Sequence, residues 1–178
     1  YLPMTNCKSF APSIDNNSKV LILGSMPGVK SLEEQQYYAH PQNRFWKVMA
    51  HICKELSLNE YDYNQKLKLL LQNNIALWDT IKSCKREGSL DSEIQNEVPN
   101  DIRKLLKKYP NIKIICLNGN KSFSAFKQYF PDLLEKYSCY KMPSTSPANA
   151  RFNLEELIKE WEIIKPVSYT HLTLPTNR

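Results

Sequence analysis

Four predominantly apolar runs recur along the chain, at 20–23, 75–78, 112–117 (interrupted once, by Lys113) and, less cleanly, 139–142. Runs of this length without polar alternation are the signature of strands buried on both faces of a parallel sheet. Between them the apolar positions change period. Phe45, Val48, Met49, Ile52 and Leu56 fall three or four apart, as do Ile102, Leu105, Leu106 and Tyr109, and again Leu154, Leu157, Ile158, Trp161 and Ile164. Each set predicts a helix with one apolar face, and fainter helical patterns cover 63–72 and 121–130. Strand and helix alternate, which predicts an α/β fold: a three-layer α/β/α sandwich around a central, mainly parallel four-stranded sheet. No internal repeat or low-complexity stretch interrupts it.

The residues that follow each apolar run are polar or glycine-rich: Gly24-Ser25-Met26-Pro27-Gly28 after the first, Asp79 after the second, Asn118-Gly119-Asn120 after the third, Ser144-Thr145-Ser146-Pro147 after the fourth. In a parallel sheet these positions collect at one edge, where loops and helix N-termini converge on a crevice. A site is therefore expected there before any chemistry is assigned. The segment from Tyr37 to Trp46, with Tyr38, His40 and Asn43 ahead of the Phe45 helix, adds polar and aromatic groups suited to a flat polar ring such as a nucleobase.

Composition bounds the alternatives. A chain of 178 residues with 42% hydrophobic content supports one core, and a single domain over 4–166 is expected. Residues 167–178 have no periodicity and read as a non-native tail, and residues 1–3 ahead of Met4 as a similar extension. The net charge of +6 and pI near 9.0 favour an acidic partner, and the excess survives loss of the tail, whose only charged side chain is Arg178. Five cysteines and three histidines are scattered without ligand spacing, so neither metal nor other cofactor is expected. No leader and no apolar run near the ~18 residues of a membrane span is visible, and a cytoplasmic protein is expected.

Each candidate residue has a functional and a structural reading. The turn 24–28 permits close approach to a ligand, or is simply a steep strand-to-helix turn. Tyr38 offers a stacking face, while Asn43 offers an amide donor and carbonyl acceptor, or else caps the following helix. Asn118 is placed to read a base edge bidentately, or to open a turn before Gly119. The hydroxyl-rich loop from Ser144 to Arg151 suits phosphates, or caps the last helix. Asp79 holds the pocket or caps a loop. Lys82, Lys85 and Arg86 are backbone-contact candidates or a solvated basic face.

Taken as ordered blocks, VLILGSMPGVKSLEEQQYYAHPQNRFWKVM (20–49), ALWDTIKSCKREGSLDSEI (76–94), ICLNGNKSF (115–123) and MPSTSPANA (142–150) resemble the uracil-DNA glycosylase superfamily, most closely its hypoxanthine-DNA glycosylase (DNA-deoxyinosine glycosylase) branch, over residues 10 to 164. The mismatch-specific uracil and thymine glycosylases are the neighbouring branch, but they carry an Asn in the strand-end turn where this chain has Ser25-Met26. The cluster-containing branches need four cysteine ligands that it lacks. The resemblance implies a monomeric, nucleoid-associated enzyme of base excision repair, hydrolysing the N-glycosidic bond of a flipped, deaminated base in damaged DNA with no metal or cofactor. It implies Asn43 as the water-positioning catalytic residue and Ser25, Met26, Tyr38 and Asn118 against the base. Gly28, Ser144, Thr145, Ser146, Asn149 and Arg151 would meet DNA, with Ala148, Asn149 or Arg151 as the wedge. A non-catalytic nucleic-acid-binding domain is the alternative of a different class.

Overall fold

The computed structural model describes residues 4–165, and the tail expected at 167–178 lies outside them, as do residues 1–3. In chain order the strands are β1 (Thr5–Lys8), β2 (Val20–Gly24), β3 (Ile75–Asp79), β4 (Ile81–Arg86), β5 (Gln95–Pro99), β6 (Ile114–Asn118) and β7 (Ser138–Met142). The helices are α1 (Val29–Glu34), α2 (Phe45–Ile52), α3 (Tyr63–Gln72), α4 (Ile102–Lys108), α5 (Asn120–Tyr129), α6 (Pro131–Lys136) and α7 (Leu154–Trp161).

The four apolar runs form one all-parallel sheet, ordered β3-β2-β6-β7. Its two faces explain why the first three runs are so apolar; the fourth, expected to be buried on both faces as well, is the edge strand β7 and is largely exposed, because no strand covers its outer side. Val20, Ile22, Ile75, Leu77 and Cys116 point to the side packed by Phe45, Val48, Met49, Leu157 and Trp161 of α2 and α7. Leu21, Leu23, Ala76, Ile115 and Leu117 point the other way, onto Ile102, Leu105 and Leu106 of α4, Phe126 of α5 and Leu133 of α6. Helices thus cover both faces, as the α/β/α expectation required.

Local sequence sets the helix starts. Asp62 and Gln65 form a reciprocal capping box at α3, and Asn153 and Glu156 form one at α7. α2 ends at Ile52, a turn earlier than the apolar spacing predicts, and Leu56 is 72% exposed. The short helices α1 and α6 carry too few apolar positions to register as periodic.

A second sheet was not legible in the pattern. β1, β4 and β5 pair antiparallel in the order β1-β4-β5. β4 begins two residues after β3 ends and runs behind the 24–28 turn, where Thr80 and Ile81 donate their backbone N–H groups to Gly24 and Ser25 carbonyls at 2.8 and 3.1 Å. Cys7, Ile81 and Cys84 of this sheet bury Met26 and Ala125 between them. Arg86 therefore does not belong to a basic surface: it is 1% exposed and donates through Nη2 to the Pro27 carbonyl. Lys82 and Lys85, pointing away on the same strand, are exposed.

Candidate active site

The carboxyl edge of the parallel sheet opens on a cavity of about 970 Å³. Every residue singled out for the site lines it: Ser25, Met26 and Gly28 from the turn after β2, Tyr38 and Asn43 from the segment before α2, Asn118 from the end of β6, and Ser144, Thr145, Ser146, Asn149 and Arg151 from the loop after β7.

Two glycines make room for the convergence. A Cβ on Gly24 would sit 2.6 Å from Asp79 Oδ1 and 3.1 Å from the Tyr38 hydroxyl, so only a residue without a side chain fits between them. Gly119 has φ +97°, and a Cβ there would come within 3.1 Å of Ser144 Cβ.

Asn43 lines the cavity just ahead of α2. Its Oδ1 accepts the Phe45 N–H at 2.9 Å, which fixes the carboxamide at the mouth of α2 and still leaves a lone pair. The helix N-cap itself is Arg44. Tyr38 has a left-handed backbone (φ 55°) and one ring face stacked on Phe45 at 3.9 Å between centroids. Burial, and then the nearby Asp79 carboxyl, push its phenol well above the ordinary range. Its hydroxyl accepts from Asn118 Nδ2 at 3.2 Å.

Asn118 is the hinge of a network rather than a free reader. Nδ2 also donates to Thr145 Oγ1, and Oδ1 accepts the Thr145 N–H, both at 3.1 Å. Both amide protons are thereby committed, and one lone pair on Oδ1 remains. Thr145, expected among the phosphate-contacting residues, is fully buried with its hydroxyl facing Asn118, so it locks the loop to the sheet. Asn149 likewise turns inward, Nδ2 donating to the Ser144 carbonyl at 3.0 Å. Met26 faces both ways, lining the cavity while packed in the small-sheet core. Ser25 donates to Asp91 Oδ1 at 2.6 Å.

Arg44 was missed, although it stands beside Asn43 within the 20–49 block. Its guanidinium gathers the carbonyls of the 144–152 loop: Nη1 donates to Phe152, Nη2 to Ser146 at 2.6 Å and Asn149 at 3.0 Å, and Nε to Thr145 at 3.4 Å. The planar fork suits such a convergence of acceptors. Asp91, in the turn that closes the cavity behind Ser25, fell within the 76–94 block but was not singled out there.

Asp79 stands apart. It lines the cavity, is 4% exposed, and its Oδ2 has no hydrogen-bond partner. Burial above all, reinforced by Asp91 and only partly offset by Arg86 and Ser9, lifts its carboxyl to about 7. Around the mouth stand Lys30, Lys121, Lys141, Arg151 and His40. Lys30 and Lys121 are paired to Glu34 and Glu97 at 3.4 and 2.5 Å. Among the described residues no cluster of three or more His, Cys, Asp or Glu is arranged to hold a metal, and no helix is long and apolar enough to cross a membrane.

A sheet-edge recess large enough for a base, rimmed by cations, is the arrangement of an α/β DNA glycosylase, which works on a nucleotide turned out of the duplex. The model of the uracil DNA glycosylase superfamily matches residues 11–165. A protein of Methanosarcina acetivorans called hypoxanthine DNA glycosylase is 40% identical over 158 residues, 88% of this chain and 96% of its own length. A protein of the same name from Methanosarcina barkeri is 40% identical over 145 residues, covering 81% and 89%. The solution NMR structure of a Methanosarcina acetivorans protein superposes with a TM-score of 0.79 at 38% identity, covering 92% of this chain and 99% of that one. The chain belongs to the uracil DNA glycosylase superfamily, and it is a DNA N-glycosylase.

Proposed function

We propose that the enzyme excises hypoxanthine from deoxyinosine in duplex DNA, a monofunctional step of base excision repair that leaves an abasic site. The observation that carries the reading is the single cavity on which Asn43, Asn118 and Tyr38 converge, in a chain 40% identical to two proteins named for that activity. A deaminated base pairs weakly, so extrusion costs less than for a normal pair, where it takes a few kcal/mol. The recess then offers Tyr38 and its apolar neighbours for stacking. The uncommitted lone pair on Asn118 Oδ1 accepts the N1–H of hypoxanthine; adenine would present a lone pair to it instead. Asn43, held by the Phe45 N–H, turns its remaining lone pair to the attacking water. A neutral carboxamide is a poor base, so positioning and the stabilisation of the oxocarbenium-like sugar supply most of the rate.

Ser144, Ser146 and Arg151 face the DNA backbone, and the 144–151 loop fills the vacated stack, with Ala148 or Arg151 more available as the wedge than the inward-turned Asn149. Residues 4–166 act as one monomeric catalytic unit, cytoplasmic and associated with the nucleoid. The test is incubation with duplexes containing deoxyinosine, uracil opposite G or thymine opposite G, followed by alkali to cut abasic sites. Strand breaks at deoxyinosine are expected. Breaks at uracil alone move the protein to the mismatch branch, and breaks at none defeat the reading. Asn43→Ala is expected to abolish turnover in a protein that still folds and binds the lesion.

A further inference from the structure

Asn118 has spent both amide protons on Tyr38 and Thr145, and Ser25 has spent its hydroxyl on Asp91, so neither can donate to a base. Asp79, though Ser9 bonds to its carboxyl, keeps one oxygen uncommitted. Its Oδ2 is buried without a hydrogen-bond partner, and among the described residues no cation lies within ion-pair distance of it. A buried carboxyl left this way is costly unless it stays neutral or meets a ligand. Its place in the sheet says which part of a ligand it meets. Gly24 of β2 is in register with Asp79 of β3 on one side, and the β2–β6 register, which pairs Leu23 with Leu117, sets Asn118 beside it on the other. Two strand spacings, about 9.5 Å, separate the two side-chain-bearing residues. The Tyr38 hydroxyl occupies the space above the glycine between them. A purine presents N1, O6 and N7 in that order along one edge, and with N1 toward Asn118 its N7 falls toward Asp79.

Resting on the reading of the site as a hypoxanthine glycosylase, we propose that Asp79 is the general acid of the reaction, protonating N7 of the flipped base as the glycosidic bond breaks. The Asp79 O–H bond breaks and an N7–H bond forms; the C1′–N9 electron pair goes to the purine, which departs neutral rather than as an anion. Water adds to C1′ and releases its proton to solvent, and Asp79 is reprotonated from solvent after the base leaves. The groups facing it favour the acid form near neutrality: burial and the Asp91 carboxylate raise its affinity for a proton, Arg86 and Ser9 oppose them, and the phenols of Tyr37, Tyr38 and Tyr63 sit close enough to feel its charge. N7 is the most basic ring nitrogen of hypoxanthine, and uracil has no counterpart to it.

The test is single-turnover excision of deoxyinosine and of 7-deaza-2′-deoxyinosine, which has a C–H in place of N7, by the unaltered protein and by Asp79→Asn. General acid catalysis is worth roughly 10²–10⁴-fold. Asp79→Asn should lose about that factor on deoxyinosine. The ratio of rates on the two substrates should collapse by at least tenfold in the variant, because both changes remove the same proton transfer. The unaltered enzyme should slow as pH rises through about 7, a limb absent from Asp79→Asn. An undiminished substrate ratio in the variant, or a flat profile between pH 6 and 9 in the unaltered enzyme, overturns the proposal while excision of deoxyinosine leaves the glycosylase reading intact. Failure of the unaltered enzyme to release hypoxanthine at all sinks both. Should Asp79→Asn not fold, the pH profile and the 7-deaza substrate still decide the matter on the unaltered protein.

Discussion

At residue 79 the folded state holds a carboxyl far from its comfort in water, and stability should register it. The group ionises near 3.8 when exposed and near 7 in the fold. A raised native value means the folded protein binds more protons than the unfolded chain between those limits, so this residue's contribution falls as pH climbs from about 4 to about 7 and is level above. Asp79→Asn should therefore gain stability relative to the unaltered protein by a few kcal/mol on going from pH 4 to pH 8. Urea titrations at the two pH values measure it. At residue 24 the direction is opposite. Gly24→Ala drives a methyl to within 2.6 Å of Asp79 Oδ1, a contact real Cβ atoms do not make, and should cost activity more than any surface change of equal size. Excision rate and melting temperature measured together will show both falling.

Among the elements, the loop between β7 and α7 draws much of its order from elsewhere. Within it, Ser144 Oγ accepts the Ser146 N–H and Ser146 Oγ accepts the Ala148 N–H, both at 3.1 Å, and Asn149 donates through Nδ2 to the Ser144 carbonyl and through its N–H to the Ser146 carbonyl, both at 3.0 Å. Further bonds come from Arg44 and Asn118 across the cavity, and from Trp161 Nε1, which donates to the Pro143 carbonyl at 3.1 Å. Arg44→Ala strips donors from four loop carbonyls and should destabilise by about 2–4 kcal/mol. Limited proteolysis should then cut first within 144–152. Arg44→Lys restores the charge without the fork and should recover only part of the loss. Asn118→Ala frees Thr145 and Tyr38 together, so base preference and loop protection should deteriorate in step.

Over the whole molecule the +6 charge is what DNA meets first. Of the lysines at the mouth, Lys30 and Lys121 already face carboxylates, whereas Lys141 lies over the Phe123 ring at 5.5 Å and Arg151 is exposed. Lys141→Ala should lower the slope of log affinity against log salt by about 1, with lesion preference unchanged, whereas Arg151→Ala, at a candidate wedge, should lower the slope and weaken the preference for the lesion together. Binding titrations from 50 to 200 mM salt on undamaged and deoxyinosine duplexes test this.

The sequence alone determined the layers and the sheet edge at which the cavity opens. Unbroken apolar runs can only be satisfied by burial on both faces, a 3.6-residue period only by one-sided packing, and polar strand ends only by a shared edge; each is a local pattern with one global solution. The block from Tyr37 to Trp46 likewise announced where polar groups would gather. What lay beyond reach was everything that depends on partners distant in the chain. Ser25 meets Asp91 across 66 residues, and Arg44 meets Phe152 across 108. Arg86 read as a surface cation because nothing local reveals that the small sheet folds it beneath Pro27. Whether a carboxamide is free or spent, and whether a carboxylate holds its proton, are decided by burial and neighbours, and only the tertiary structure supplies those.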